Sequence, residues 1–158
     1  ENIPFFEDEG SKRQSGFPTI DRETVNVILW DPELRKVGCL DWTKFGWHTF
    51  IIGGIEPGEI PKQTANREIA EESGYTNIKF VAELGHLKSA YFAAHKKENR
   101  IAHTVGLLFK LVNREDKRMV DEEKLPHVFL WQPQNHVVSF LTLSSQKYLW
   151  EKAQVHLK

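Results

Sequence analysis

One cysteine, Cys39, and a single methionine are all the sulfur this chain carries. A lone cysteine excludes an internal disulfide and leans the expectation toward a reducing, cytoplasmic setting. No apolar run approaches the roughly eighteen residues that a membrane helix requires, and no signal-peptide pattern opens the sequence, so no membrane partner is expected. An excess of either charge is missing as well: 21 Lys and Arg face 22 Asp and Glu, for a formal net charge of −1. Such a balance supplies no basic coat for DNA and no acidic tail. Internal repeats and low-complexity segments are absent. The chain begins at Glu1 without methionine, which is read as a processed chain or a piece of a longer one. What remains is 158 residues, 40% hydrophobic and 27% charged, enough for one domain with a sizeable core.

The chemistry gathers in Gly53 to Tyr75, GGIEPGEIPKQTANREIAEESGY. A glycine turn leads to Glu59, Pro61 stands where a first helical residue is expected, and the helix stops at Gly74. Glu68, Glu71 and Glu72 are spaced i, i+3 and i+4, so at ~100° per residue their carboxylates share one helix side. Three adjacent like charges repel, and a hard divalent cation with oxygen ligands is the economical compensator, magnesium first and manganese second. The plain alternative is a solvated charged face, but that would leave the glycine turn and Glu59 without a reason.

This stretch resembles the Nudix box, G-x5-E-x7-R-E-U-x-E-E-x-G-U, with U a bulky aliphatic residue. Gly53, Glu59, Arg67, Glu68, Ile69, Glu71, Glu72 and Gly74 fall on its fixed positions; Tyr75 departs, aromatic where an aliphatic belongs. The resemblance implies an α/β/α sandwich around a mixed sheet, and cleavage of a nucleoside diphosphate linked to another moiety by attack of water on phosphorus. It implies Glu71 and Glu72 as primary metal ligands, Glu68 as ligand or water-activating base, and the Gly53 carbonyl as a further ligand. Arg67 is placed in the catalytic group, and with Glu59 it is expected to brace the acidic helix rather than touch substrate. Some relatives put the base in a loop before the last strand, where this chain has Glu122 and Glu123, which read first as a solvated loop.

A narrower resemblance covers FPTIDRETVNVI (17–28), KFGWHTFIIGGIEPGE (44–59), AAHKKENRIAH (93–103), the W-Q-P segment and SSQKYLW. These look like Nudix domains joined to leucyl-tRNA synthetases in some bacteria, implying the rest of such a synthetase as a partner. A non-hydrolytic nucleotide- or RNA-binding module of that synthetase is then the rival to an enzyme. A free-standing housecleaning enzyme for damaged nucleotides is a third reading.

Taken in order, residues 1–20 read as an irregular lead-in pinned by Phe5, Phe6 and Phe17, and 21–158 as the Nudix domain. Strands are expected over Thr24–Trp30 and Val37–Trp42, joined as a hairpin through DPELRK, then over Trp47–Ile52. Alternation in that third strand puts Trp47, Thr49 and Ile51 on one side and His48, Phe50 and Ile52 on the other. The helix spans Ile60 to Ser73 with Ala65 and Ile69 inward. Shorter strands follow at Ile78–Leu84 and Lys88–Ala94, a strong one at His103–Val112, a charged loop over Asn113–Leu125, and a last strand at Val128–Gln132. Asn135–Leu141 reads as a short helical segment. Ser144 or Ser145 is expected to cap a final helix reaching toward Leu157, docked by Tyr148, Leu149 and Ala153.

Lys44 and His48 near one strand, and His95, Lys96, Lys97 and Arg100 after another, are candidates for substrate phosphates. Surface charge balancing the acidic helix explains them as well. Trp42, Phe45, Trp47, Tyr91 and Phe92 could stack on a base or belong to the core. His86, His103, His127, His136 and His156 show no metal-ligand spacing and read as structural or exposed. Cys39, without a histidine partner, reads as a buried thiol.

Overall fold

Hydrophobic alternation on the longest early strand explains why the chain folds in layers. Val25, Val27 and Leu29 pack to one side of β2 (Thr19–Asp31), while Ile28 and Trp30 pack to the other. A strand buried on both faces needs a cover on each. The computed structural model describes residues 2–115, 117–121 and 125–158, and in it those covers are α1 (Pro61–Ser73) and α3 (Ser144–Ala153). Ala65 and Ile69 of α1 close the first cluster, and Leu149, Trp150 and Ala153 of α3 close the second. The result is a mixed α+β fold around one mixed sheet.

That sheet runs β1 (Phe5–Phe6), β6 (Ile78–Ala93), β7 (Glu98–Leu111), β2, β3 (Lys36–Trp42), β4 (Trp47–Thr49). β5 (Ile51–Gly54) pairs with β2, and β8 (Val128–Pro133) pairs with β3. β2 lies parallel to β7 from Thr19 to Trp30, while β6 and β7 form a long antiparallel hairpin. β2 and β3 pair only at the hairpin base, Trp30 with Val37 and Asp31 with Lys36. Beyond it they diverge, and the 47–54 segment fills the gap, joined to β3 through β4 and to β2 through β5.

That wedge corrects one expectation. Trp47–Ile52 is not a single alternating strand: it bends at Phe50, whose N–H is donated to Gln146 Oε1 of α3 at 3.0 Å instead of to a strand neighbour. The bend moves Ile51 to the α1 side, whereas Trp47 and Thr49 stay on the α3 side with Phe50 and Ile52. Ile78–Ala93 is one strand rather than two, its pairing interrupted by register shifts at Phe80/Ala82 and Glu83/Gly85. Inside the lead-in, β1 pairs parallel with β6 at Lys88 and Ser89. Neither serine is the N-cap of α3: that position is Leu143, and the Ser144 N–H is donated to the Asp8 carboxylate at 3.2 and 3.4 Å. A charge from the chain's start thereby serves an otherwise unsatisfied helix end. Asn135–Leu141 resolves into a 3-10 turn and α2 (Val137–Phe140). No helix among the described residues is long and apolar enough to cross a membrane.

Cys39 is fully buried on β3, and burial pushes its thiol up to about 12. The native protein is therefore expected to resist a thiol-specific reagent at pH 8 and to react through one thiol once denatured. Rapid labelling of the folded chain would contradict this packing.

Candidate active site

The acidic helix starts where its sequence says it should. Pro61 takes the first helical position after Ile60, whose N–H is donated to Gln63 Oε1 at 2.9 Å. It ends at Gly74, whose φ of +80° suits glycine and whose N–H closes on the Ala70 carbonyl.

Ahead of that helix, Glu59 organises the turn. Its Oε1 accepts from the Glu56 N–H, Thr64 Oγ1 and Arg67 Nη2, each at 2.9 Å, while Oε2 accepts from Arg67 Nε at 2.9 Å. This two-pronged guanidinium pair holds the Glu59 carboxyl down, from 4.5 to about 2. The same guanidinium donates to the Gly54 carbonyl at 3.1 Å and to Glu68 Oε1 at 2.8 Å, and lies 3.5 Å from Glu71 Oε1. Strand end, turn and helix thus meet on one side chain. Its hydrogen bonds with Glu59 raise the Arg67 pKa further.

Glu68 lies flat against Gly53. A Cβ at that position would overlap the Glu68 carboxyl, so only glycine admits this approach. Burial pushes Glu68 up to about 7, aided by the charges of Glu71 and Glu72 and opposed by Arg67. Glu72 is 4% exposed and its Oε2 is hydrogen-bonded to His127 Nε2. Glu71 is the exposed member of the trio, its side chain 52% accessible.

His127 is the residue sequence reading missed. It lies in the bend just before β8, is buried, and its ring lies 4.2 Å from that of Trp42. Its Nδ1 is buried without a partner. Lone histidine spacing carries no signal for such a pair, because Glu72 and His127 are brought together only by β8 lying beside the helix.

On the α3 side of the sheet, Trp42 also borders a cleft of about 100 Å³. Trp47, Tyr91, Thr49 and Asn26 line it, and so does Ile52, next to Gly53. One aromatic side chain, Trp42, therefore stands between this cleft and the Glu72–His127 pair.

The NUDIX domain family model matches residues 21–150. The chain belongs to the NUDIX family. Solved structures with the same fold include a C. elegans Ap4A hydrolase binary complex, 19% identical at TM-score 0.64, covering 86% of this chain and 97% of that one. The NUDIX domain of Shewanella oneidensis NrtR, complexed with ADP ribose, is 16% identical at TM-score 0.59, covering 88% and 90%. The E. coli dihydroneopterin triphosphate pyrophosphohydrolase is 14% identical at TM-score 0.59, covering 85% and 95%. No curated protein sequence matches the chain. None of these structural relatives is named as a synthetase-joined domain, and the narrower resemblance gains no support from them.

The basic candidates are placed elsewhere in the NUDIX domain. Lys44 is exposed in the 43–46 turn, and His95 and Lys97 sit in the β6–β7 turn. His95 lies 5.3 Å from Phe45, which stacks on Trp47 of the cleft, and burial beside Arg100 and Lys96 lowers its pKa. Arg100 donates to Glu98 at 2.8 Å and is bonded to Tyr91. His48 is committed to packing: its ring stacks on Phe140 at 4.0 Å and its Nδ1 meets the Phe140 carbonyl at 2.9 Å. Glu122 and Glu123 lie outside the described residues.

A carboxyl depressed on folding contributes stability that is complete above its ordinary value of 4.5 and is lost as pH falls toward about 2. Glu59→Gln is therefore expected to be less stable than the parent at neutral pH, with the gap in melting temperature closing between about pH 5 and 2.5. Thermal melts of both proteins across that range provide the check; a gap independent of pH would contradict the Glu59–Arg67 pairing.

Proposed function

We propose that this NUDIX domain hydrolyses the pyrophosphate bond of a nucleoside diphosphate linked to another moiety, using a divalent cation, magnesium or manganese. The observation that carries the reading is the Glu68 carboxyl, buried against Gly53 and driven up to about 7 partly by Glu71 and Glu72. Oxygen donors crowded until one is forced toward its protonated form are a set that a doubly charged cation relieves. Glu68, Glu71, Glu72 and the Gly53 carbonyl would hold it. When bound, it would neutralise diphosphate oxygens and acidify a water near phosphorus.

The chain's own residues do the rest by position. Arg67 and Glu59 hold the turn against the helix, so that the carboxylates and the Gly53 carbonyl keep their mutual placement. His127 fixes Glu72. Lys44 in the 43–46 turn, Lys97 in the β6–β7 turn and Arg100 just after it supply positive charge for substrate oxygens, while His95, its pKa lowered, is neutral there. The neighbours named for Ap4A, dihydroneopterin triphosphate and ADP ribose support this substrate class.

Binding without turnover is the second reading, including the synthetase-associated module. Two of the three carboxylates are already engaged, Glu68 by Arg67 and Glu72 by His127. Among the described residues, no three His, Cys, Asp or Glu side chains already form a metal-holding group.

Assay against nucleoside triphosphates, nucleotide sugars, dinucleoside polyphosphates and ADP ribose, with magnesium, manganese or chelator, separates the two. Metal-dependent release is expected, with Glu71→Gln losing about a hundredfold or more in kcat. Tight binding with no turnover across the panel would replace the enzyme with the module.

A further inference from the structure

The carboxylates around the glycine turn differ in how many oxygens they have left. Glu59 has none to spare: Oε1 accepts from the Glu56 N–H, Thr64 Oγ1 and Arg67 Nη2, and Oε2 accepts from Arg67 Nε. Glu68 gives its Oε1 to Arg67 Nη1 at 2.8 Å. Glu72 gives its Oε2 to His127 Nε2. Among the described residues, each of these two buried side chains thus has one oxygen engaged, which leaves the other, Glu68 Oε2 or Glu72 Oε1, to meet a ligand. Glu71 is half exposed, with Arg67 Nη1 3.5 Å from its Oε1.

Packing rather than a second hydrogen bond holds His127 in this role. Its Nδ1 is buried without a partner, and its ring rests 4.2 Å from Trp42. Trp42 is itself fixed: its Nε1 donates to Thr49 Oγ1 at 2.9 Å, and that hydroxyl donates to the Phe50 carbonyl at 2.7 Å. Facing an ionised Glu72, His127 Nε2 carries the proton, so this nitrogen donates and is not available as a ligand.

We infer that His127 is a positioning residue: it ties down Glu72 Oε2, presents Oε1 alone, and so biases the site toward a small divalent cation. The inference rests on the divalent-cation reading above and adds which ions are preferred and which residue sets the preference. Calcium takes roughly six to eight oxygens and readily grips a carboxylate by both, whereas magnesium keeps to about six, several of them water. With Glu68 and Glu72 each held to one oxygen by an N–H, the two-oxygen grip is closed at both. Contacts through one oxygen, which magnesium or manganese needs, stay open.

Manganese binding to the full chain, followed by loss of the free-ion electron paramagnetic resonance signal, and its displacement by magnesium or calcium, tests this without turnover. Magnesium is expected to displace manganese from the parent at a lower concentration than calcium does. His127→Phe, which keeps a ring against Trp42, and His127→Asn, too short to reach Glu72, release Oε2 and should lower the calcium-to-magnesium displacement ratio about tenfold. His127→Gln, whose amide N–H reaches the place of Nε2, should keep the parent ratio. A histidine that only supported the fold would weaken both ions together and leave the ratio alone. Melting curves in chelator show which variants are folded, and the parent's own preference is read regardless of them. Calcium displacing manganese from the parent as readily as magnesium does overturns the proposal; so does a ratio unmoved in a folded His127→Phe or His127→Asn, or moved equally in His127→Gln. Failure of manganese to bind the parent removes the cation reading and this inference with it. The expected discrimination without turnover in the panel assay would sink the enzymatic reading and leave this one standing.

Discussion

A single guanidinium holds this NUDIX domain's working parts in register. Arg67 grips both oxygens of Glu59, the Gly54 carbonyl and Glu68 Oε1, so it joins the end of β5, the turn after it and the first acidic position of α1. None of those three segments would hold the others through apolar contact alone, because the turn is polar and glycine-rich. The arrangement is affordable because the charge is divided: Glu59 neutralises the guanidinium, which leaves Glu68, Glu71 and Glu72 collectively short of positive charge. Burial then makes that shortage felt at Glu68.

The sheet separates two kinds of chemistry. Successive residues of β5 point in opposite directions, so Gly53 receives the Glu68 side chain on the α1 side while Ile52 lines the cleft on the α3 side. The Phe50 bend keeps Thr49 on the cleft side and turns Ile51 toward α1, which an unbroken strand could not do. Trp42, touching both His127 and the cleft, is where the two regions meet. The lead-in contributes to the same construction: the Phe6 ring lies tilted against Tyr148 at 5.3 Å, Asp8 serves the start of α3, and both Phe6 and Asp8 line the cleft.

Local signals carried far where the responsible forces are local. The limits of α1 follow from Pro61, Gly74 and the apolar pair Ala65 and Ile69, and the observed helix agrees within a residue. The β2–β3 hairpin and the centres of β2 and β7 were legible from β-branched runs and the Asp31-Pro32 turn, but both strands start five residues earlier than expected, at Thr19 and Glu98. The break at Phe50 was not, because it depends on Gln146, nearly a hundred residues later, taking a backbone N–H that the sheet would otherwise use. The cap of α3 failed for the same reason: serine at the start of a helix is a reasonable local cap, yet the acceptor arrived from Asp8.

The sequence by itself determined the acidic helix, its glycine turn and the family, since all of these are spacings within one short stretch. Only the tertiary structure decided that His127 meets Glu72 and that His48 is used up in packing on Phe140. Each of those facts joins or separates residues from different strands and helices. Pairing across such distances is set by sheet order and by which side of the sheet a strand presents, quantities that no window along the chain contains.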